Sequence, residues 1–161
     1  MNHTTLRCPL GDLTVFEDAD HIISLDWGWV EKGAQNWEAT PLLREASKQL
    51  YAYFSNKLKV FDLPLNPTGT PFQKIVLKYI LRIPHGKTET YGKIAKQLNT
   101  SPRAIGNACG KNPIPIIIPC HRVLGHSSLG GYSGQGGLDS KRTLLCLESS
   151  MGKDGTLLTT I

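Results

Sequence analysis

Ten residues near the middle of the chain can continue neither a helix nor a strand. This segment, Asp62–Pro71, contains three prolines and one glycine. Proline lacks a backbone N–H and fixes φ, so it ends regular elements. We therefore predict two domains, residues 1–66 and 67–161, because a chain of 161 residues is long enough for two small ones.

The composition indicates a folded protein that does not cross a membrane. With 40% hydrophobic and 19% charged residues, the chain can bury a core, which excludes the disordered and fibrous classes. Its apolar runs are too short to span a bilayer, and residues 1–4 show no basic or apolar leader pattern. We expect a cytoplasmic location.

Cysteine use agrees with that location. The four cysteines, Cys8, Cys109, Cys120 and Cys146, form no C-x-x-C pair. Neither a disulfide framework nor a structural zinc site is favoured, although Cys8 and distant histidines are the residues from which a zinc site would be assembled. We expect no metal and no cofactor.

Charge is distributed unevenly along the chain. Residues 1–65 carry 6 Lys/Arg against 9 Asp/Glu, a net −3, whereas residues 66–161 carry 12 against 4, a net +8. A basic half is typical of a protein that meets a polyanion, which favours nucleic-acid binding. The alternative is that the positive charge serves solubility alone.

The first domain shows strand and helix signals in turn. Alternating apolar residues predict strands over Leu13–Phe16 and Ile22–Trp29, with turn residues between them. Thr40–Pro41 is typical of a helix start, and apolar residues recur at helical spacing after it. We predict a small antiparallel sheet with helical cover.

The second domain is predicted to be mostly helical. Thr70–Pro71 begins an amphipathic helix, and a later pair of short helices, Tyr91–Leu98 and Arg103–Cys109, has the spacing of a helix-turn-helix. Such pairs also occur in proteins that never contact DNA, so the pair alone is weak evidence.

The second helix of this pair carries unusually small side chains at every second position. Ala104, Gly106, Ala108 and Gly110 alternate along it, and a glycine inside a helix costs roughly 1 kcal/mol relative to alanine. One explanation is entry into a minor groove, which is only about 6 Å wide, with Arg103 reaching the base stack. The other is tight packing against another helix of the same domain.

Cys120 follows a segment that is predicted to be a buried strand. Ile116–Ile118 are β-branched, Pro119 ends the run, and Cys120 and His121 come next. A thiolate is nucleophilic and needs a nearby base or cation to form at neutral pH. His121 reaches Cys120 only if the backbone turns there, and the alternative is an inert buried cysteine. For the other three cysteines we predict packing roles.

A glycine-rich segment, Gly125–Gly137, follows the cysteine. It lacks the phosphate-binding G-x-x-x-x-G-K-[ST] pattern, which disfavours nucleotide binding. A loop that closes over a ligand fits better. We predict that Asp139–Ser140 then caps a last helix that ends near Glu148.

These motifs together resemble the 6-O-alkylguanine–DNA alkyltransferases. The resemblance runs from about Thr70 to Glu148 and is carried by Pro119–Val123 (P-C-H-R-V), with Asn112–Pro113 before it and Tyr132–Gly134 after it. The first third matches only in length and strand–helix order. The resemblance implies an α/β protein with a ribonuclease-H-like first domain and a mostly helical second domain containing a winged helix-turn-helix.

The resemblance also implies a catalytic set. Cys120 matches the alkyl acceptor. Glu148, His121 and a water molecule would convert its thiol to thiolate, while Asn112 braces the turn and Tyr91 helps to rotate the nucleotide and donates a hydrogen bond. The resulting thioether has no good leaving group, so each molecule is expected to act once.

Further residues are implied to contact DNA or the flipped base. Arg103 matches the intercalating arginine finger. The other implied DNA contacts are Ala104, Gly106, Cys109, Lys111 and Arg122, and the implied pocket residues are Val123, Tyr132, Ser133 and Pro115. The expected partner of a monomer is duplex DNA with 6-O-alkylguanine, and 4-O-alkylthymine is a second candidate lesion.

Some positions depart from the family pattern. Leu77 stands where many relatives carry tryptophan, Thr90 where serine is common, and two extra residues follow Tyr132–Gly134. The alternative function is a non-catalytic alkylated-DNA-binding protein, but such proteins carry another residue at the acceptor position. A thiol hydrolase is the other rival, and no motif for a substrate carbonyl accompanies the cysteine.

Overall fold

The computed structural model describes residues 1–28, 40–126, 128–132 and 137–148. The chain divides into two compact units, Met1–Thr68 and Gly69–Ile161.

The first unit contains a three-stranded antiparallel sheet in chain order, β1 (Asn2–Cys8), β2 (Gly11–Asp18) and β3 (His21–Trp27). The two strands predicted from the sequence are confirmed in β2 and β3, while Trp29 lies outside the described residues. The sequence analysis missed β1, because its threonines and charged residues give no clear apolar alternation. Leucines and other apolar side chains from all three strands form the core.

Helix α1 (Pro41–Phe54) covers β1 and β2 of this sheet. It begins as predicted, since the Thr40 hydroxyl accepts a hydrogen bond from the backbone N–H of Leu43 at 3.1 Å. Its buried face includes Leu43, Ala46, Leu50 and Tyr53. Removing that apolar face from water is the main stabilisation of the helix.

The proline-rich segment contains no regular helix or strand, as predicted. Part of it lies beside β3, where Ile22 N–H donates to Pro64 O and Asn66 N–H donates to Ile22 O, each at 2.8 Å. These bonds attach the segment to the sheet edge before the second unit begins.

The second unit contains four helices, α2 (Pro71–Ile80), α3 (Tyr91–Leu98), α4 (Pro102–Gly110) and α5 (Leu138–Leu147), within the described ranges. Two short parallel strands, β4 (Glu89–Thr90) and β5 (Val123–Leu124), pair with each other. Helix α4 packs against both α2 and α3.

The predicted helix-turn-helix pair is present as α3 and α4. Asn99 ends α3 in the left-handed conformation with φ 56°, and the Ser101 hydroxyl caps α4 by accepting from Ala104 N at 3.1 Å. Pro102 occupies the first turn, where a missing N–H costs nothing.

Two local predictions were wrong. Ile116–Ile118 are buried but form a tight turn instead of a strand, with Ile116 at φ 73° and Ile118 N–H donating to Ile114 O. The surrounding prolines lack the N–H groups that a strand ladder needs. The predicted Asp139–Ser140 cap of α5 is the second error. The helix begins at Leu138, Gly137 before it provides no side-chain cap, and Asp139 lies within the first turn.

Among the described residues, no helix combines the length and apolar character needed to cross a bilayer.

Candidate active site

Cys120 begins a single turn of 3-10 helix, Cys120–Arg122, which directly follows the tight turn. Its side chain is buried, and its backbone N–H donates to Ile118 O at 2.8 Å. The chain therefore does turn at Pro119. The turn directs the neighbouring imidazole of His121 to a carboxylate that lies 27 residues further along the chain.

His121, Arg122 and Glu148 form a buried ion cluster. His121 Nε2 lies 2.7 Å from Glu148 Oε2, and Arg122 donates to both carboxylate oxygens, from Nε at 2.8 Å and from Nη2 at 2.9 Å. Arg122 Nη1 donates to Ile83 O at 2.6 Å. The carboxylate thus has charge-assisted bonds on both oxygens.

The electrostatics of the cluster favour a neutral imidazole beside an ionised carboxylate. Burial lowers the pKa of His121, against the opposing effect of Glu148. Burial alone raises the pKa of Glu148, but His121 and Arg122 outweigh it and hold that pKa well below its usual range. His121 Nδ1 is buried and has no hydrogen-bond partner within the described part of the chain.

The DNA contact expected of Arg122 does not fit this geometry. Its guanidinium is only 8% exposed and is engaged by Glu148 and Ile83. The sequence could not distinguish this internal partner from a phosphate, because the same planar fork binds both carboxylate and phosphate.

Asn112 ties together the tight turn that precedes the cysteine. Its Nδ2 donates to Ile118 O at 2.9 Å, and its Oδ1 accepts from Ile114 N at 3.0 Å. Burial raises the pKa of the Cys120 thiol, and the nearby Asn112 side chain lowers it by a smaller amount.

Cys120 lines a cavity of about 550 Å³. Its described lining comes from α3, α4, the 3-10 turn and the glycine-rich segment: Tyr91, Pro102, Arg103, Gly106, Cys109, Gly110, Cys120, Gly131 and Tyr132. A cavity of this volume falls in the range that accommodates small organic ligands.

Two tyrosines provide hydroxyl groups in the cavity wall. Burial, followed by the nearby sulfurs of Cys109 and Cys120, raises the pKa of Tyr91 to about 12, so its hydroxyl stays protonated. Burial also raises the pKa of Tyr132, and its buried hydroxyl has no partner among the described residues. Both groups are therefore hydrogen-bond donors at neutral pH.

Gly130 allows the glycine-rich segment to reach Tyr91. It has φ 71°, and a Cβ there would lie 2.7 Å from Tyr91 Cε2 and 3.0 Å from its hydroxyl oxygen. Both the backbone conformation and the close approach require glycine.

Lys141 is a residue that the sequence analysis missed. It is fully buried, and its Nζ donates to Val123 O at 2.7 Å, Leu129 O at 2.5 Å and Gly131 O at 2.9 Å. Burial lowers its pKa to about 8, so the group is charged at neutral pH, and that charge lowers the pKa of Cys120. The available signal was its position three and four residues before Leu144 and Leu145, on the apolar face of α5.

The expected DNA contacts on α4 differ in exposure. Arg103 and Lys111 are exposed, Ala104 and Gly106 are half-buried, and Cys109 is buried in the cavity wall. Among the described residues, a Cβ at Gly106 would meet only Tyr91, at 3.9 Å, and one at Gly110 would meet nothing within 4 Å. Tight helix packing therefore does not account for these two glycines.

The remaining pocket predictions have mixed outcomes. Tyr132 lines the cavity. Val123 and Pro115 are buried but are not among the described lining residues. The carbonyl of Val123 instead binds Lys141. Ser133 lies outside the described residues.

A buried thiol that lines a cavity beside a helix-turn-helix, and that precedes a histidine paired with a carboxylate, defines a class, a DNA-binding protein with a nucleophilic cysteine. The family model described as 6-O-methylguanine DNA methyltransferase, DNA binding domain, matches residues 71–150. The model of that family's ribonuclease-like domain matches residues 1–67. The chain belongs to the 6-O-methylguanine DNA methyltransferase family, which confirms the resemblance and the fold class predicted from the sequence.

Similar proteins span nearly the whole chain. It is 42% identical to the constitutive methylated-DNA–protein-cysteine methyltransferase of Bacillus subtilis, over 82% of this chain and 86% of that protein. It is 48% identical to the methylated-DNA–protein-cysteine methyltransferase of Methanosarcina mazei, over 81% and 84%. A crystal structure of Mycobacterium tuberculosis OGT in complex with DNA matches with TM-score 0.79 and 40% identity, covering 92% of each chain.

Proposed function

We propose that this protein repairs alkylated DNA directly, by moving the alkyl group of 6-O-alkylguanine in duplex DNA onto the sulfur of its own Cys120. The observation that carries the proposal is the position of that sulfur. Cys120 lines a cavity at helix α4 and directly precedes His121, whose imidazole pairs with the buried Glu148. Membership of the 6-O-methylguanine DNA methyltransferase family supports the same reaction.

The base must leave the helix to reach the sulfur. Arg103 stands exposed in the first turn of α4 and lines the cavity, so it can fill the gap in the base stack while the guanine enters. Extruding a nucleotide costs a few kcal/mol, and least for a poorly paired base such as an alkylated guanine. The exposed Lys111 at the end of α4 adds a phosphate contact.

The thiolate forms by proton transfer towards the ion cluster. Neutral His121 presents its unpaired Nδ1 as a base, and the ionised Glu148 stabilises the imidazolium that results. A water molecule carries the proton from Cys120 to His121. The Lys141 ammonium and the Asn112 amide stabilise the negative sulfur.

Transfer is an in-line displacement at the alkyl carbon. The sulfur forms a bond to carbon while the bond from carbon to the guanine oxygen breaks, and the Tyr91 hydroxyl donates a hydrogen bond to the departing base. Tyr132, which lines the cavity and has a buried hydroxyl without a partner among the described residues, contacts the guanine edge. Because a thioether has no good leaving group, each molecule acts once.

Three finer points belong to the same proposal. We include 4-O-alkylthymine as a second lesion, since it presents the same alkyl–oxygen bond. One chain supplies every proposed site residue, which supports a monomer. The four free cysteines, Cys8, Cys109, Cys120 and Cys146, fit a reducing cytoplasm.

Mass spectrometry with an oligonucleotide duplex containing 6-O-methylguanine tests the reaction. We expect a gain of about 14 Da on the Cys120 peptide, in at most one equivalent per protein, and none in Cys120→Ser. Cys146→Ser, which removes an exposed thiol, is the matched control and should still gain the methyl group. Many turnovers per protein would exclude the single-use reaction, and a tight complex with unmodified protein would favour the binding-only alternative.

A further inference from the structure

The cavity contains a second cysteine that alkyl transfer does not use. Cys109, near the end of α4, lines the same cavity as Cys120, and both thiols are free and almost fully buried. The other two cysteines differ, because Cys8 is partly exposed and Cys146 is exposed.

Hydrogen bonds through Asn112 connect the backbones of the two cysteines. Its backbone N–H donates to Cys109 O at 3.2 Å, and its side chain donates to Ile118 O at 2.9 Å. The same Ile118 carbonyl accepts the Cys120 N–H at 2.8 Å. The chain between the two cysteines is therefore folded back on itself, and its ends are held in one short network.

The two thiols also share their electrostatic surroundings. Lys141 lowers the pKa of both sulfurs, although burial is the larger effect and raises both. Tyr91 interacts with the charge of both. Burial, followed by the charge of the Cys120 sulfur, raises the pKa of Cys109 to about 12. The two thiols line one cavity and influence each other's charge, so they are neighbours in the fold.

We propose that Cys109 is a resolving thiol for Cys120, so that a hydroperoxide reacting with Cys120 yields a Cys109–Cys120 disulfide inside the cavity. The inference rests on the proposed function only in taking Cys120 as the reactive thiol.

The reaction balances in two steps. The Cys120 thiolate attacks one peroxide oxygen, the O–O bond breaks, and the sulfur becomes a sulfenic acid. The second oxygen leaves as hydroxide and takes up the proton that the Cys120 thiol released, which gives the first water. The Cys109 sulfur then attacks the Cys120 sulfur, the S–O bond breaks, and the hydroxide leaves with the Cys109 proton as a second water. Two thiols and one hydrogen peroxide become one disulfide and two waters.

The disulfide would preserve a nucleophile that the protein can use only once. Without a resolving partner, a sulfenic acid proceeds to sulfinic acid, which thiols cannot reduce. In the disulfide the Cys120 sulfur is blocked, and a thiol reductant restores it. Oxidation would therefore suspend repair without consuming the protein.

Hydrogen peroxide treatment of the full chain, followed by digestion without reductant, tests the proposal. We expect a linked peptide pair containing Cys109 and Cys120 and a loss of about 2 Da from the intact protein. Methyl uptake from a methylated duplex should fall to about a tenth and return to about nine tenths after dithiothreitol. If untreated protein takes up no methyl group, the proposed function is wrong. The disulfide is tested independently, by the presence or absence of the linked Cys109–Cys120 peptide pair.

Variants identify the resolving thiol. Cys109→Ser and Cys109→Ala, each compared with its own untreated sample, should gain sulfinic acid on Cys120 and recover little activity with dithiothreitol. The double variant Cys8→Ser/Cys146→Ser should form the disulfide like the unaltered protein. Sulfinic acid on Cys120 of the unaltered protein, or its pairing with Cys8, Cys146 or a second molecule, would overturn the proposal.

Discussion

The ion cluster that follows Cys120 in the chain and the cavity that Cys120 lines differ in how their polar groups are satisfied. In the cluster, His121, Arg122 and Glu148 are buried, and both carboxylate oxygens of Glu148 accept strong hydrogen bonds. The cavity wall, by contrast, carries the Tyr132 hydroxyl, which has no partner among the described residues.

This difference indicates that the ion cluster maintains the structure of the site, whereas the cavity wall is available to bind the substrate. A buried charge without a partner costs several kcal/mol, so the ion cluster tolerates little change. An unsatisfied hydroxyl in a cavity costs less and gains its bond when a ligand enters. We expect changes to the ion cluster to reduce stability and activity together, and changes to the cavity wall to affect reaction with the substrate.

The largest effect is expected from Glu148→Gln. This change leaves the Arg122 guanidinium buried without its countercharge, and breaking a buried pair in this way costs about 3–5 kcal/mol. Urea denaturation should show that loss in the free energy of unfolding, and methyl uptake should become undetectable. Asp139→Asn is the matched control, since its exposed pair with Arg142 should contribute less than about 0.5 kcal/mol. Equal losses in the two variants would contradict the contrast between buried and exposed pairs.

The same cluster predicts the response to acid. The pKa of His121 is lowered from 6.5, so the unfolded chain takes up a proton before the folded one, and stability is lost as the pH falls below about 6.5. The pKa of Glu148 is lowered from 4.5, which adds a further loss below about 4.5. The free energy of unfolding, measured by urea at each pH, should decline from near neutral pH downwards. A flat profile between pH 7 and 5 would contradict the neutral imidazole.

Lys141→Met is expected to affect both the Cys120 thiolate and the cavity wall. It removes the buried cation and the three hydrogen bonds that hold Val123, Leu129 and Gly131, so the thiolate and the cavity wall both lose support. We expect methyl transfer to slow by about 10- to 100-fold, and raising the pH should restore part of the rate because the thiol pKa rises. Lys111→Met, an exposed lysine on α4, is the comparison for charge loss alone. Lys111→Met should leave the dependence of the methyl-transfer rate on pH unchanged. If raising the pH restores none of the rate lost in Lys141→Met, the proposed electrostatic role of Lys141 is wrong.

Arg103→Ala tests the cavity mouth. Without the side chain that fills the base stack, repair of duplex DNA should slow by about tenfold, because extrusion of the base becomes less favourable. Reaction with free 6-O-alkylguanine base needs no extrusion and should change little. Rate constants for the two substrates in one variant provide the comparison, and equal slowing would reject the finger assignment.

Gly106→Ala has the smallest expected effect and separates two readings of α4. Within the described part of the chain the new Cβ would meet only Tyr91, at 3.9 Å, and alanine favours helix by up to about 1 kcal/mol, so the free energy of unfolding should rise slightly. If α4 approaches a DNA groove closely, duplex repair should weaken despite the gain. Lower stability would instead point to tight packing within the protein.

The sequence predicted elements that depend on local chemistry and missed those set by distant partners. The helix starts at Thr40 and Thr70 were predicted because each precedes a proline and an apolar helical pattern, and Ser101 caps α4 before a proline in the same way. The turn at Ile116 was not, since β-branched residues favour strands and only the flanking prolines and the side chain of Asn112 reverse that preference.

Distant partners also explain the errors at individual site residues. Glu148 and Ile83, far along the chain from Arg122, hold its guanidinium inside the protein. Lys141 looks like any helical lysine until three carbonyl groups surround it. Charge and spacing in a sequence do not reveal such partners, because the same side chains also suit the surface.

The capped start of α4 sets the angular position of every residue on that helix. Ser101 and Pro102 fix the first turn, so Arg103 occupies a defined position on the helix circumference without needing a rigid side chain of its own. One residue inserted before Ala104 would rotate the rest of the helix by about 100° and advance it by about 1.5 Å. Cys109 would then turn away from the cavity. Length variation is therefore far less tolerable at this point of the chain than substitution.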